Sequence, residues 1–217
     1  MQVLCGNYQE TCYYKYGSLP YKSSYCHEMA KRIAMYTISS SAAKYKKTII
    51  PLFSFNAEFY IRLIFMVKES PESCQENVVK HGNVLQCRSC QYRKIIKYGL
   101  FEFTNSKKKK SNGEMKQGKT RFKISNFEKT PEMCPVCNSH LILIGPFYLG
   151  SLQNNEFLHG ILNNLKSDYQ YLKYSNRITG ILNGALEENE LDVPFGYSYS
   201  QLCSDVNLNS PKLSLIA

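Results

Sequence analysis

Two Cys-x-x-Cys motifs, 87–90 and 134–137, constrain the fold of this chain more than any other feature of the sequence. A gap of two residues lets both sulfurs of a motif face one ion, so two such motifs can close a tetrahedral zinc site. The second motif leads into the apolar segment 141–144, which is the context of a zinc ribbon. The alternative is two unrelated thiol pairs, such as a redox pair. We expect one structural zinc ion, with the ligands Cys87, Cys90, Cys134 and Cys137.

The charge of the chain indicates a polyanionic partner. The formal net charge is +10 and the pI is about 9.1, and nucleic acid is the commonest polyanion that such proteins bind. The lysine-rich tract 107–113 lies between the two motifs and is predicted to be an expanded, solvated loop. A hydrophobic share of 43% excludes wholesale disorder and predicts a buried core.

The cysteines also indicate the cellular compartment. Nine cysteines would suit a secreted disulfide scaffold, but residues 1–6 lack the pattern of a signal peptide. We therefore expect an intracellular, reducing compartment, either the nucleus or the mitochondrion if the source is eukaryotic. No segment reaches the roughly 18 apolar residues of a membrane span, so no membrane association is expected. The thiols expected to be free are those of Cys5, Cys12, Cys26, Cys74 and Cys203.

Local patterns predict an order of helices and strands. After a short strand at 2–5, the chain is expected to be irregular up to residue 23. A helix is expected at 25–45, capped by Ser23 or Ser24 and with His27 and Glu28 on its surface. Residues 70–73 are predicted to be a linker. Strands are expected at 48–55, 59–67, 84–86, 98–103, 120–124 and 141–144. Further helices are expected at 155–165, 175–186, 199–206 and 210–216.

Several motifs, taken together and in this order, resemble the tRNA guanine-26 dimethyltransferases. They include Met1–Gly6, Cys26–Ala30, Ile50–Ser54, Gly145–Gly150 and Arg177–Leu182, and the resemblance extends over nearly the whole chain. It implies an enzyme that transfers methyl groups from S-adenosyl-L-methionine (AdoMet) to the exocyclic amine of a guanine in tRNA. The guanine must leave the base stack to react.

The resemblance also implies an α/β plus α+β fold divided into three parts. Residues 1–69 would form the end of a class I (Rossmann-like) methyltransferase sheet, and 70–150 a zinc-ribbon-like region. Residues 151–217 would form a truncated helical domain that binds tRNA. Family members carry a glycine-rich AdoMet loop, acidic residues for the ribose and an Asp-Pro-aromatic-Gly catalytic motif, and none of these occurs here.

The chain is therefore expected to be an internal fragment without catalytic or cofactor-binding residues of its own, with AdoMet bound by the full-length parent. Asp192–Gly196 is similar to the catalytic motif, but Val193 interrupts it. An Asp-Val step lacks the rigidity that proline gives to the residue before it. We therefore expect a structural turn at this segment.

Candidate RNA contacts are scattered along the chain. Lys15 and Tyr16 belong to a run of aromatics and a cation that could stack on bases, although packing against the sheet is equally compatible with this run. Arg62 lies in a strand expected to be mostly buried, where it would pair with a carboxylate or reach the substrate phosphates. Arg177 could begin a helix that follows the tRNA backbone, and the alternative is an exposed cation without that role. The alternative function is a zinc-stabilised RNA-binding module without catalysis, and a weaker one is a zinc ribbon for protein assembly.

Overall fold

The structure, a computed structural model, describes residues 1–57, 59–104, 119–126, 130–169, 171–191, 193–205 and 207–210. The helices in this part of the chain are α1 (Gln9–Tyr16), α2 (Cys26–Ala43), α3 (Pro71–Glu76), α4 (Asn155–Ser167), α5 (Ser175–Glu190) and α6 (Tyr199–Asp205). The strands are β1 (Lys47–Ala57), β2 (Tyr60–Glu69), β3 (His81–Cys87), β4 (Arg93–Lys97), β5 (Gly99–Thr104), β6 (Lys119–Ile124) and β7 (Leu141–Tyr148).

The described strands form three small antiparallel sheets. β1 pairs with β2, β5 pairs with β6, and β3 lies between β4 and β7. β3 carries a register shift between Gly82 and Val84 where it pairs with β7. A Cβ at Gly82 would overlap the backbone carbonyl of Ile96, so only glycine allows the central strand to approach β4 this closely.

Helix α2 is the centre of the core. Its buried residues Met29 and Ile33 belong to one cluster with Val84 of β3, Phe147 of β7 and Phe195 near the carboxyl end. This cluster combines residues from all three predicted domains, whose boundaries stay a prediction. A second cluster packs α4 and α5 against β1 and contains Phe53, Leu158, Leu162, Leu182, Ala185 and Leu186.

Four local expectations are wrong. Residues 1–6 form a turn, with the N–H of Leu4 donating to Met1 O at 3.0 Å, instead of a strand. The predicted linker at 70–73 is the start of α3, and Ser70 Oγ caps it by accepting from the N–H of Ser73. Helix α2 has Tyr25 as its N-cap and no side-chain cap from a serine. Residues 9–16, expected to be irregular, form α1.

Two predicted segments fall largely or wholly outside the described residues, namely the lysine-rich loop at 107–113 and the helix at 210–216. In the described part of the chain, no helix combines the length and apolar character needed to cross a membrane.

Candidate metal centre and the turn packed beside it

The first Cys-x-x-Cys motif forms the connection between β3 and β4. The N–H groups of Ser89 and Cys90 point at Cys87 Sγ, at 3.3 and 3.4 Å. The N–H of Tyr92 points at Cys90 Sγ at 3.4 Å, and the N–H of Cys87 donates to Tyr92 O at 3.0 Å. These bonds fold the motif into a tight loop that presents both sulfurs on one side.

The second motif repeats this geometry just before β7. The N–H of Val136 lies 3.4 Å from Cys134 Sγ, and the N–H of Asn138 donates to Cys134 O at 2.9 Å. Asn138 has a φ of 57°, a left-handed conformation that asparagine tolerates better than most residues. The turn ends where the N–H of Cys134 donates to Ser139 O at 2.8 Å.

Pairing between β3 and β7 brings the two loops together. Cys87 Sγ lies 3.4 Å from Cys137 Sγ, and Cys90 Sγ lies 3.5 Å from Cys134 Sγ. All four sulfurs lie within 4.8 Å of one another. Zinc–sulfur bonds of about 2.3 Å place the sulfurs of a tetrahedral site roughly 3.8 Å apart, so this set could hold one zinc ion with small adjustments.

The protonation of the thiols fits a site for a cation. Burial raises the pKa of Cys90 to about 12 and raises that of Cys87 as well. Hydrogen bonds from Ser139 lower the pKa of Cys137 to about 6. Burial thus favours the neutral thiols of Cys87 and Cys90, whereas a bound metal ion would stabilise their thiolates.

A buried glutamine connects the first motif to helix α2. Gln86, 5% exposed, donates from Nε2 to Cys87 O at 2.7 Å and accepts at Oε1 from Tyr25 Oη at 2.7 Å. The backbone of the first motif is thus fixed relative to the start of α2. Gln86 was not predicted from the sequence. The available signal was a polar residue in an apolar strand, directly before a candidate ligand cysteine.

A turn near the carboxyl end, Pro194–Ser198, packs against the start of α2. Glu28 accepts from the N–H of Phe195 at 2.7 Å and from the N–H of Gly196 at 2.9 Å, and it pairs with Arg32 Nε at 2.8 Å. Its side chain is 23% exposed, so the surface role expected for Glu28 is wrong. Burial alone would raise the pKa of Glu28, but Arg32 and the two N–H groups outweigh it and the pKa is lowered.

The same turn also contacts the loop of the first Cys-x-x-Cys motif. Gln91 and Ser198 exchange two hydrogen bonds, of 3.1 and 3.0 Å. The guanidinium of Arg93 lies 4.5 Å from the ring centre of Tyr25 and 3.9 Å from that of Tyr197, and cation–π contacts of this kind are favourable. The Pro194–Ser198 turn therefore joins the candidate metal centre to α2.

The sequence model of the family described as N2,N2-dimethylguanosine tRNA methyltransferase matches residues 1–217. The chain belongs to this family. The tRNA (guanine(26)-N(2))-dimethyltransferase of Drosophila melanogaster is 34% identical over 209 residues, which are 96% of this chain and 35% of that protein. The enzyme of the same name from Methanobrevibacter smithii is 30% identical over 214 residues, 99% of this chain and 47% of that protein.

A solved structure, the complex of Trm1 from Pyrococcus horikoshii with S-adenosyl-L-methionine, has the same fold. It superimposes with a TM-score of 0.70 at 19% sequence identity and covers 98% of this chain and 46% of that one. This chain of the dimethylguanosine methyltransferase family thus has part of a methyltransferase fold, with small sheets and helices. It spans about a third to a half of the length of the relatives it matches.

The four sequence-predicted RNA contacts of this family member lie on three different elements. Lys15 is exposed at the end of α1, whereas Tyr16 is half-buried and packs against the core. Arg177 is exposed in the first turn of α5. Arg62 is exposed and lies over the Tyr60 ring at 5.6 Å. The expectation of a mostly buried strand is wrong, because alternate residues of β2 face outward.

Proposed function

We propose that this chain is part of a tRNA guanine-26 N2-dimethyltransferase, which transfers methyl groups from AdoMet to the exocyclic amine of guanine 26. The observation that carries this proposal is the match of the family model to all 217 residues. The lone pair of that amine is delocalised into the ring, so the amine is a poor nucleophile and must be held in line with the donated methyl group. Within this enzyme, residues 1–217 would contribute structural elements and contacts to tRNA.

The first of these elements is a structural zinc ion bound by Cys87, Cys90, Cys134 and Cys137. Four thiolates close the coordination shell, which is typical of structural zinc and leaves no position for a substrate. The proposal is supported by the sulfur distances and by the repeated N–H···S geometry of the two loops. The arrangement beside an antiparallel sheet favours the zinc-ribbon class.

Metal analysis tests the zinc assignment. Protein purified without chelators should retain one tightly bound zinc per chain, and Cys87→Ser or Cys134→Ser should abolish its retention. Cys74→Ser is the matched control, because Cys74 is a partly buried free thiol in α3 and should leave the zinc content unchanged. Zinc content near zero in the unaltered protein would refute the assignment.

The second element is a surface that binds tRNA phosphates. We propose that Lys15, Arg62 and Arg177 contact phosphates and that Tyr16 supports the position of Lys15 from its half-buried site. The net charge of +10 favours such contacts. Each neutralised phosphate should contribute roughly −0.7 to −0.9 to the slope of log affinity against log salt concentration.

Filter binding of tRNA across a salt series tests this surface. Arg62→Gln and Arg177→Gln should each weaken binding and lower the magnitude of the salt slope by about one contact. Lys68→Gln, an exposed cation on the same strand as Arg62, removes the same charge and is the control for a general charge effect. Equal losses for Arg62→Gln and Lys68→Gln would show that total charge, and not these positions, governs binding.

The enzymatic proposal is tested in a hybrid protein. Residues 1–217 replace the corresponding segment of the Methanobrevibacter smithii enzyme, and dimethylguanosine at position 26 is measured by nuclease digestion and mass spectrometry. We expect methylation of a tRNA with guanine 26 and none of the same tRNA with adenine 26. A hybrid that retains zinc and binds tRNA but forms no methylguanosine would refute the enzymatic proposal and favour an RNA-binding module without catalysis.

A further inference from the structure

A second group of metal-ligating side chains lies at the start of α2. The sulfurs of Cys5 and Cys26 and a ring nitrogen of His27 all lie within 4.8 Å of one another. We propose that these three residues form a second metal site, which binds a thiolate-preferring divalent cation such as Zn²⁺ with three protein ligands and one open position. The site is separate from the four-cysteine centre and independent of the proposed methyl transfer.

Hydrogen bonds and a close backbone contact fix the position of Cys5 beside Cys26. The N–H of Cys5 donates to Met1 O and Gln2 O at 3.1 and 3.2 Å, and its Sγ donates to Cys26 O at 3.7 Å. The next residue, Gly6, has a φ of 92°, and a Cβ there would lie 2.6 Å from Lys22 N. Only glycine permits this close approach, which presses the turn at residues 1–6 against the segment leading into α2.

The other two ligands are the first residues of α2. Cys26 is partly buried and touches the core, while His27 is exposed. The side chains of adjacent helical residues point about 100° apart. The His27 ring nitrogen can still approach the Cys26 sulfur because the imidazole side chain is longer than that of cysteine.

The chemistry of the three ligands determines which metal ions would bind. Two thiolates and one imidazole form a nitrogen–sulfur set that suits zinc and related soft metals and excludes calcium and magnesium, which require oxygen ligands. Two cysteines this close could also form a disulfide, but a disulfide would use only two of the three donors. A metal ion uses all three, and the exposure of His27 leaves the fourth position open to water.

Cobalt titration of the protein as isolated, with the four-cysteine centre already filled, tests the second site. Under reducing conditions we expect one further equivalent of Co²⁺ per chain, with a thiolate-to-cobalt charge-transfer band. Cys5→Ser, Cys26→Ser and His27→Gln should each weaken this Co²⁺ binding at least about 10-fold. The tightly bound zinc should stay unchanged in all three variants, which reports that the rest of the fold is intact.

Cys74→Ser is again the control and should bind Co²⁺ as the unaltered chain does. The absence of a further Co²⁺ equivalent, or Co²⁺ binding unaffected by the three variants, would overturn the proposal. A peptide map that shows a Cys5–Cys26 disulfide after mild oxidation, together with no Co²⁺ binding when reduced, would assign the pair to redox chemistry and overturn it as well.

Discussion

Replacement of Glu28 by glutamine tests whether the Pro194–Ser198 turn is held by a carboxylate. Glu28 accepts three short hydrogen bonds, from the N–H of Phe195, the N–H of Gly196 and Arg32 Nε. An amide keeps one acceptor oxygen and places an NH₂ group where the second carboxylate oxygen accepted. Glu28→Gln therefore removes the negative charge and leaves at least one N–H donor facing another donor.

The cost follows from the charge of Glu28 and the burial of Arg32. Hydrogen bonds to charged groups contribute about 1.5–3 kcal/mol each, and Arg32, whose side chain is 8% exposed, would lose its anionic partner. Arg32 still donates to Tyr148 O and Gly150 O at 2.9 and 3.0 Å, so the loss stays below that of a fully isolated buried charge. We expect the free energy of unfolding to fall by about 2–4 kcal/mol.

Urea unfolding of zinc-loaded protein, followed by circular dichroism, measures this change. With a urea dependence of about 2–3 kcal/mol per molar, the midpoint should fall by roughly 1–2 M. Glu187→Gln, an exposed residue of α5, is the control and should change stability by less than about 0.5 kcal/mol. A loss for Glu28→Gln no greater than that of Glu187→Gln would refute the reasoning.

The pH dependence of the same difference gives an independent check. The pKa of Glu28 is lower in the folded protein than its ordinary value of 4.5, so the folded state binds fewer protons than the unfolded chain. Its contribution is therefore fully present above pH 4.5 and is lost as the pH falls through the folded pKa. The stability difference between the unaltered protein and Glu28→Gln should shrink below about pH 4.5.

Four further substitutions test the core, the close approach of β3 to β4 and a buried histidine. Phe195→Ala should cost about 3–5 kcal/mol of unfolding free energy, because the ring is 1% exposed. Gly82→Ala should cost about 1–3 kcal/mol through overlap with the Ile96 carbonyl, whereas Gly184→Ala, in open space within α5, should stabilise by about 0.5–1 kcal/mol. Burial lowers the pKa of His81 to about 4. Between pH 6.5 and 4 the unfolded chain therefore binds a proton at His81 that the folded chain does not, and the free energy of unfolding falls by up to about 3 kcal/mol. Urea unfolding at several pH values should show this contribution in the unaltered protein and not in His81→Gln.

Features that depend on short stretches of sequence could be predicted from the local spacing of residues. The two Cys-x-x-Cys motifs predicted which sulfurs would meet, because the loop geometry needs only a two-residue gap and a following strand. The paired strands β1 and β2 and the helices α2, α4 and α5 were predicted from periodicity within two to four residues of their observed ends, α2 starting one residue later than expected. Strand β4 was missed because Arg93–Lys97 has charged ends and only two apolar residues.

Contacts between distant segments could not be predicted in the same way. Glu28 bonds to residues 167 and 168 positions away, and no local pattern identifies such a partner. The buried amide of Gln86 and the cluster of Cys5 with Cys26 likewise depend on the packing of α2 against the turn at residues 1–6 and on β3. These are the contacts that determine how the candidate metal centre and the second cysteine cluster are placed.

The contacts of the Pro194–Ser198 turn argue for a structural role and against a catalytic one. Asp192 lies outside the described residues, but the two N–H groups of Phe195 and Gly196 are occupied by Glu28. The ring of Phe195 is enclosed by Tyr25 and Phe147 at 5.3 and 5.2 Å between ring centres. Phe195 also has a φ of 65°, a left-handed conformation that costs about 1–2 kcal/mol and is offset by the hydrogen bonds to the carboxylate. An aromatic ring buried in this way cannot stack on a guanine, so these contacts favour the interpretation of the segment as a structural turn.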